Sequence, residues 1–209
     1  MLTRRTALAG LSLAALPAAA TAAPLGAEER RLAASAAAWL EGLAEARGGF
    51  VQTDPRGRTS RGEVFLRRPG RARFAYDPPS SLLVVADGAH VSVADRRLKT
   101  FERYPLAATP LSLFLSRRIR LDGDARVTEV RRTRGGFEIT AQDVRRPKDG
   151  RIVLAFSETP FSLAGWTVTD AQGRSTRVDL EDFRPVTGLP ASLFVLKDPR
   201  PPALGRGKL

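Results

Sequence analysis

His90 is the only histidine among the 209 residues, and with a Ser or Thr nucleophile it would be the natural general base for acyl transfer. It stands two residues after Asp87-Gly88, a turn signal, and the chain contains no G-x-S-x-G elbow to present such a nucleophile. The paired carboxylates Glu181-Asp182 are the other acid-base candidates, but adjacent residues of a strand point to opposite faces and that pair cannot share a substrate. With one histidine and no cysteine, the usual nitrogen and sulfur ligand sets for zinc, copper or iron cannot be assembled. Neither a P-loop nor a dinucleotide fingerprint is present, so neither ATP nor another cofactor is expected. A hydrolase centred on His90 is the enzyme reading to set against non-catalytic ones, and the sequence supplies no catalytic constellation for it.

The ends of the chain bound where it works. Arg4-Arg5, an apolar stretch from Ala7 to Ala19 and small residues ending in Ala20-Thr21-Ala22 form an export leader over residues 1–22, with cleavage expected near Ala22. The general secretory and twin-arginine routes both fit that leader. The apolar stretch is too short for a comfortable membrane span, so the mature chain is expected to be released into the compartment beyond the inner membrane. Without cysteine it has neither disulfides nor a lipid-modified cysteine. The formal net charge is +12, about +10 once Arg4 and Arg5 leave with the leader. The 30 arginines are scattered over every segment rather than gathered in a stripe, and the leader directs the chain away from the genome, so no nucleic-acid partner is expected. Attraction to acidic surfaces or anionic head groups remains consistent with that charge. Residues 23–209 are read as a single domain whose tail, 198–209, is rich in Pro and Gly and is expected to be flexible.

From Ala27 to Arg47 the residues Leu32, Ala36, Trp39, Leu40 and Leu43 recur on one helical face, and Gly48-Gly49 is expected to end that helix. Strands follow every eight to twelve residues, near Gly49 to Thr53, Gly62 to Arg68, Arg71 to Tyr76, Leu82 to Ala86, His90 to Ala94 and Leu98 to Arg103. A second set lies near Arg126 to Thr133, Gly136 to Asp143, Arg151 to Ser157, Ser162 to Asp170, Ser175 to Asp182 and Ser192 to Leu196. The class is α+β, mostly β: one curled antiparallel sheet of about eleven strands. Leu82 to Val85 is apolar on both faces. Between the two sets, Thr109 can cap and Pro110 can open a short helix in which Leu111, Leu113, Phe114 and Leu115 follow without a charge, so it must be covered on several sides.

The order found from Gly62 to Gly88 is specific: an alternating strand, Arg68-Pro69-Gly70, an alternating strand, Pro78-Pro79, an apolar strand, and Asp87-Gly88. With Phe50-Val51-Gln52 before it and Thr109-Pro110-Leu111 after it, the stretch from Phe50 to Leu115 resembles the LolA family, the periplasmic carriers of outer-membrane lipoproteins in Gram-negative bacteria. The resemblance implies an incomplete half-barrel with a helical lid over an apolar cavity. By composition Trp39, Ala72, Phe74, Tyr76, Leu111, Phe114 and Leu115 are ordinary core positions; the resemblance implies that they bind lipid. It also implies that Arg68, before Pro69, holds the closed lid through hydrogen bonds to lid backbone, with neighbouring Arg67 as the alternative by one register. Guanidinium donors suit the orphan carbonyls at a helix C-terminus. Ala72 and the small run Ser92-Val93-Ala94 depart from the larger side chains the family often carries, which alters the cavity's shape. The implied partners are acylated lipoproteins as cargo, an inner-membrane ABC-type release complex as donor and an outer-membrane lipoprotein receptor as acceptor, the carrier itself being a monomer. The same half-barrel could instead carry or sense another envelope lipid.

Overall fold

The computed structural model describes residues 25–109, 111–115, 117, 125–143 and 147–198; the leader, Pro110 and the end of the tail lie outside them. Helix α1, Ala27–Gly42, begins with the Glu29 carboxylate accepting from the Gly26 N–H at 2.6 Å, and Glu28 and Glu29 lie in its first turn, where the helix dipole favours negative charge. Six strands follow: β1 Glu45–Thr53, β2 Thr59–Arg67, β3 Arg71–Tyr76, β4 Leu82–Asp87, β5 His90–Asp95 and β6 Thr100–Pro105. A 3-10 turn, Leu106–Ala108, and the single-turn helix α2, Ser112–Leu115, precede β7 Ala125–Thr133, β8 Gly136–Asp143, β9 Gly150–Glu158, β10 Phe161–Asp170 and β11 Ser175–Pro185.

All eleven strands form one antiparallel sheet in the order β6-β5-β4-β3-β2-β1-β11-β10-β9-β8-β7. Two meanders are joined by pairing β1 with β11, and the sheet does not close: β6 and β7 remain its edges. Alternation puts one residue set, including Phe50, Val64, Ala72, Phe74, Trp166, Leu154 and Ile139, on a single face, where α1 adds Leu32, Ala33, Ala36 and Leu40 to the main core. Arg132 of β7 anchors the start of α1 through Glu28 at 2.6 Å.

Three expectations change. The first helix stops at Gly42 rather than Arg47, because Ala46 is fully buried and pairs with Leu66 and Pro185 as part of β1. Gly48-Gly49 is therefore not a helix stop. The β1–β11 pairing shifts register between Arg47 and Gly49 while β11 runs from Arg184 to Glu181, and Asp182 adopts φ +48° in that bulge. A side chain at Gly48 would place Cβ 2.7 Å from the Glu181 carbonyl and 2.8 Å from Phe183 Cα, so only glycine fits. Ser192 to Leu196 is not a strand. Ala191–Phe194 is a 3-10 turn packed on β3 and β4, where Phe194 is buried. It lies on the sheet face opposite Phe74, the face to which Leu83 and Val85 point, which explains why β4 is apolar on both sides.

Candidate functional site

The inner face of the sheet is built around a row of aromatic rings whose positions follow from strand register. Phe50 of β1 pairs with Gly62 of β2, which pairs with Tyr76 of β3. A Cβ at Gly62 would meet Phe50 Cε1 at 2.9 Å and the Ala75 carbonyl at 2.1 Å, so the missing side chain is what lets the Phe50 ring lie down. That ring meets Phe74 edge-on at 5.6 Å and Tyr76 at 5.0 Å, and Phe74 meets Trp166 of β10 at 5.9 Å. On the other half, Phe137 stacks on Phe156 at 5.4 Å, Phe161 lies within 6.0 Å of both, and Trp39 of α1 stands edge-on to Phe156 at 6.0 Å. Each such pair contributes about 0.5–1.5 kcal/mol beyond its buried area.

Six of the seven sequence candidates pack on this face. Ala72 is fully buried between Leu66 and Ala86, Phe74 is buried, and Trp39 and Leu111 are half-buried against the core. Leu115 is fully buried at the end of α2, and the Phe114 side chain lies outside the described residues. Tyr76 closes the row with a polar end: its hydroxyl donates to Gln52 Oε1 at 2.6 Å, and burial pushes its phenol pKa up to about 12. A ligand reaching Ala72, Phe74 or Leu115 must displace side chains that now cover them. Phe50, Phe137, Phe156, Phe161 and Trp166 were not among the candidate residues; they stand in alternating strands, and the inward parity of β8 to β10 was the signal available.

The turn between β2 and β3 is where helix and sheet are joined. The Arg68-Pro69 bond is cis, Pro69 is exposed, and the Gly70 N–H donates to the Leu115 carbonyl at 2.8 Å. The orphan carbonyl at the end of α2 is thus met by a backbone donor of this turn. Consecutive arginines diverge here. Arg67 goes to the outer face, with Nε 2.6 Å from Glu45 Oε1, Nη2 donating to the Leu189 carbonyl and the guanidinium 5.6 Å over the Phe194 ring. Arg68 is half-buried with Nε and Nη1 shielded from solvent; burial lowers its pKa, and Glu41 of α1 opposes that shift.

Neither catalytic candidate is built into this face. His90 Nδ1 accepts from Arg103 Nη2 at 3.1 Å beside Asp87, and Glu181 pairs with Arg61 at 3.0 Å on the exposed outer face. Among the described residues no group of three His, Cys, Asp or Glu side chains could hold a metal ion. No helix there is long and apolar enough to cross a membrane.

Comparison with known proteins agrees with the geometry. Residues 41–197 match the family model described as outer membrane lipoprotein carrier protein LolA. An outer-membrane lipoprotein carrier protein of Methylibium petroleiphilum is 31% identical over 163 residues, covering 73% of this chain and 78% of its own. One from Legionella pneumophila is 32% identical over 148 residues, covering 68% of this chain and 71% of its own. Among solved structures, a DUF1329 family protein from Desulfovibrio piger shares the fold with a TM-score of 0.50 at 11% identity, over 80% of this chain and 96% of that one.

Proposed function

The chain belongs to the LolA family of outer-membrane lipoprotein carriers, and on that premise we propose that it is a non-enzymatic periplasmic chaperone that shields the acyl chains of lipoproteins between the inner membrane and an outer-membrane acceptor. The observation that carries the reading is the continuous apolar inner face, with α1 and α2 laid across it and the Arg68-Pro69-Gly70 turn tied to the end of α2.

The physical need is plain. Each methylene removed from water is worth about 0.8 kcal/mol, so a sixteen-carbon chain left in water costs roughly 12 kcal/mol. An apolar cavity removes that cost, yet a carrier that held its cargo with all of it would not release. Here the cavity must be opened against existing packing: Phe74, Ala72 and Leu115 are already buried, and separating them subtracts from the ligand's gain. Affinity then falls between that of donor and acceptor. Arg68 and Pro69 act as the lid switch, and Trp39, Ala72, Phe74, Tyr76, Leu111, Phe114 and Leu115 receive the acyl chains. The leader, residues 1–22, brings the carrier to the periplasm, where an ABC-type release complex loads it and an outer-membrane receptor unloads it.

Photo-crosslinking tests this reading. A photoreactive side chain at Leu111 or Tyr76, both partly buried on the inner face, should label the acyl chains of a bound lipoprotein. Labelling of the cargo polypeptide alone, or equal labelling of cargo stripped of its acyl chains, would contradict it.

A further inference from the structure

The turn between β5 and β6 presents an apolar side chain among cations. Leu98 is 62% exposed, more than any other large hydrophobic side chain among the described residues, and Arg96, Arg97 and Lys99 beside it are exposed as well. Among the described residues none of these three makes an ion pair. The adjoining carboxylate, Asp95, is occupied in building the turn: its Oδ1 accepts from the Ser81 hydroxyl at 2.6 Å, the Arg97 N–H at 2.9 Å and the Leu98 N–H at 3.0 Å. Ser81 Oγ also accepts from the Arg97 N–H at 3.0 Å, fastening the tip to the start of β4. Lys99 completes the turn at φ +54°. Leu98 is therefore held outward by a hydrogen-bonded frame, and its exposure is a property of the turn rather than of a loose loop.

Strand register puts this tip at the same end of the sheet as the turns at 54–58 and 77–81, and away from the Gly70 turn that meets α2. Arg56 adds another exposed cation to that end. An acidic protein would be met by the cations but has no need of an aliphatic side chain at their centre. A bilayer offers both in layers, phosphates outside and acyl chains beneath, and the chain's strongly basic net charge adds long-range attraction.

We propose that the β5–β6 tip docks this protein reversibly on an anionic phospholipid surface, Leu98 entering the interface while Arg96, Arg97 and Lys99 meet lipid phosphates. The inference is independent of what the inner face carries.

The test is co-sedimentation of the processed protein, purified from the envelope after export, with vesicles of phosphatidylglycerol and phosphatidylethanolamine or of phosphatidylcholine alone. Binding is expected to the anionic vesicles only and should weaken with salt. Leu98→Ser should weaken it about tenfold, through lost apolar burial. The combined Arg96→Gln, Arg97→Gln, Lys99→Gln variant should weaken it about a hundredfold, at about fivefold per cation. Melting temperatures should be unchanged, since all four side chains face solvent. No binding to anionic vesicles overturns the proposal, as does equal binding by the parent and both variants, which would locate lipid uptake elsewhere. Loss in the triple variant with Leu98→Ser unaffected, accompanied by binding to polyglutamate, would overturn it in favour of an acidic protein partner.

Discussion

The backbone N–H of Gly70 reaches the carbonyl of Leu115 at 2.8 Å, so the β2–β3 turn and the end of α2 are joined by a bond that requires no side chain. Gly70 can make it because it sits at φ +78°, and a Cβ there would come within 2.9 Å of Gly88 Cα in the neighbouring turn. Gly70→Ala is expected to lower stability by about 2 kcal/mol and to loosen α2. Urea unfolding and hydrogen exchange at the amide of residue 70 would read both effects; an unchanged midpoint with unchanged exchange would refute the assignment.

In the lid switch proposed above, Arg68 would add side-chain control to that backbone joint. Charge-assisted hydrogen bonds contribute about 1.5–3 kcal/mol, enough to shift a lid equilibrium roughly ten- to a hundredfold. Arg68→Leu should leave the fold intact while trapping or spilling cargo, as measured by transfer from a loaded carrier to an acceptor membrane. Transfer at the parental rate would remove Arg68 from the mechanism.

Glu45 ties the segment around Leu189 to the outer face of β1 and β2. Its carboxylate accepts the Leu189 N–H at 2.9 Å and meets Arg67 at 2.6 Å, and these partners, the Leu189 N–H foremost, hold its pKa below the ordinary carboxylate value. A depressed folded pKa contributes stability that is present above the unfolded value and is lost as pH falls through the folded one. The segment 186–194 should therefore stay docked at neutral pH and loosen only in acid, below the ordinary glutamate range. The amide shift of Leu189 should titrate with Glu45, and in Glu45→Gln the titration should vanish. A Leu189 amide insensitive to acid in the parent would contradict this.

How much of this was legible in the sequence depended on whether a residue's neighbours were local. Alternation in Arg71 to Tyr76 identifies β3 and groups Ala72, Phe74 and Tyr76 on one face, because period two fixes parity without knowledge of partners; that this face looks inward was implied by the family resemblance. Gly48 misled, since its reason is the β11 bulge at Asp182 and Phe183, more than a hundred residues away. Ser192 to Leu196 has the apolar look of a strand, but Ala191–Phe194 is a 3-10 turn whose Phe194 is buried against β3 and β4, more than a hundred residues earlier in the chain. Leu82 to Val85 reads as apolar on both faces, which fits such a cover but does not say which segment supplies it. The ring cluster of Phe137, Phe156 and Phe161 depended on register between distant strands.

Tyr76 offers a spectroscopic check on burial of the inner face. A phenol whose pKa rises from 10.0 to about 12 keeps its proton where the unfolded chain has lost it. Stability should thus fall between those two pH values, by roughly 3 kcal/mol at most. Phenolate absorbance should show Tyr76 titrating near pH 12 in the folded protein, and Gln52→Ala should not bring it down to the ordinary value, because burial rather than the hydrogen bond raises it. Titration of Tyr76 near pH 10 with the fold intact would mean that this end of the face is open to water.

Native mass spectrometry of the processed protein mixed with purified lipoprotein, acylated or stripped of its acyl chains, tests the central claim most directly. A one-to-one complex with the acylated form alone is the predicted result, since recognition is then burial of the chains on the inner face. No complex with either form, or equal complexes with both, would contradict the carrier account.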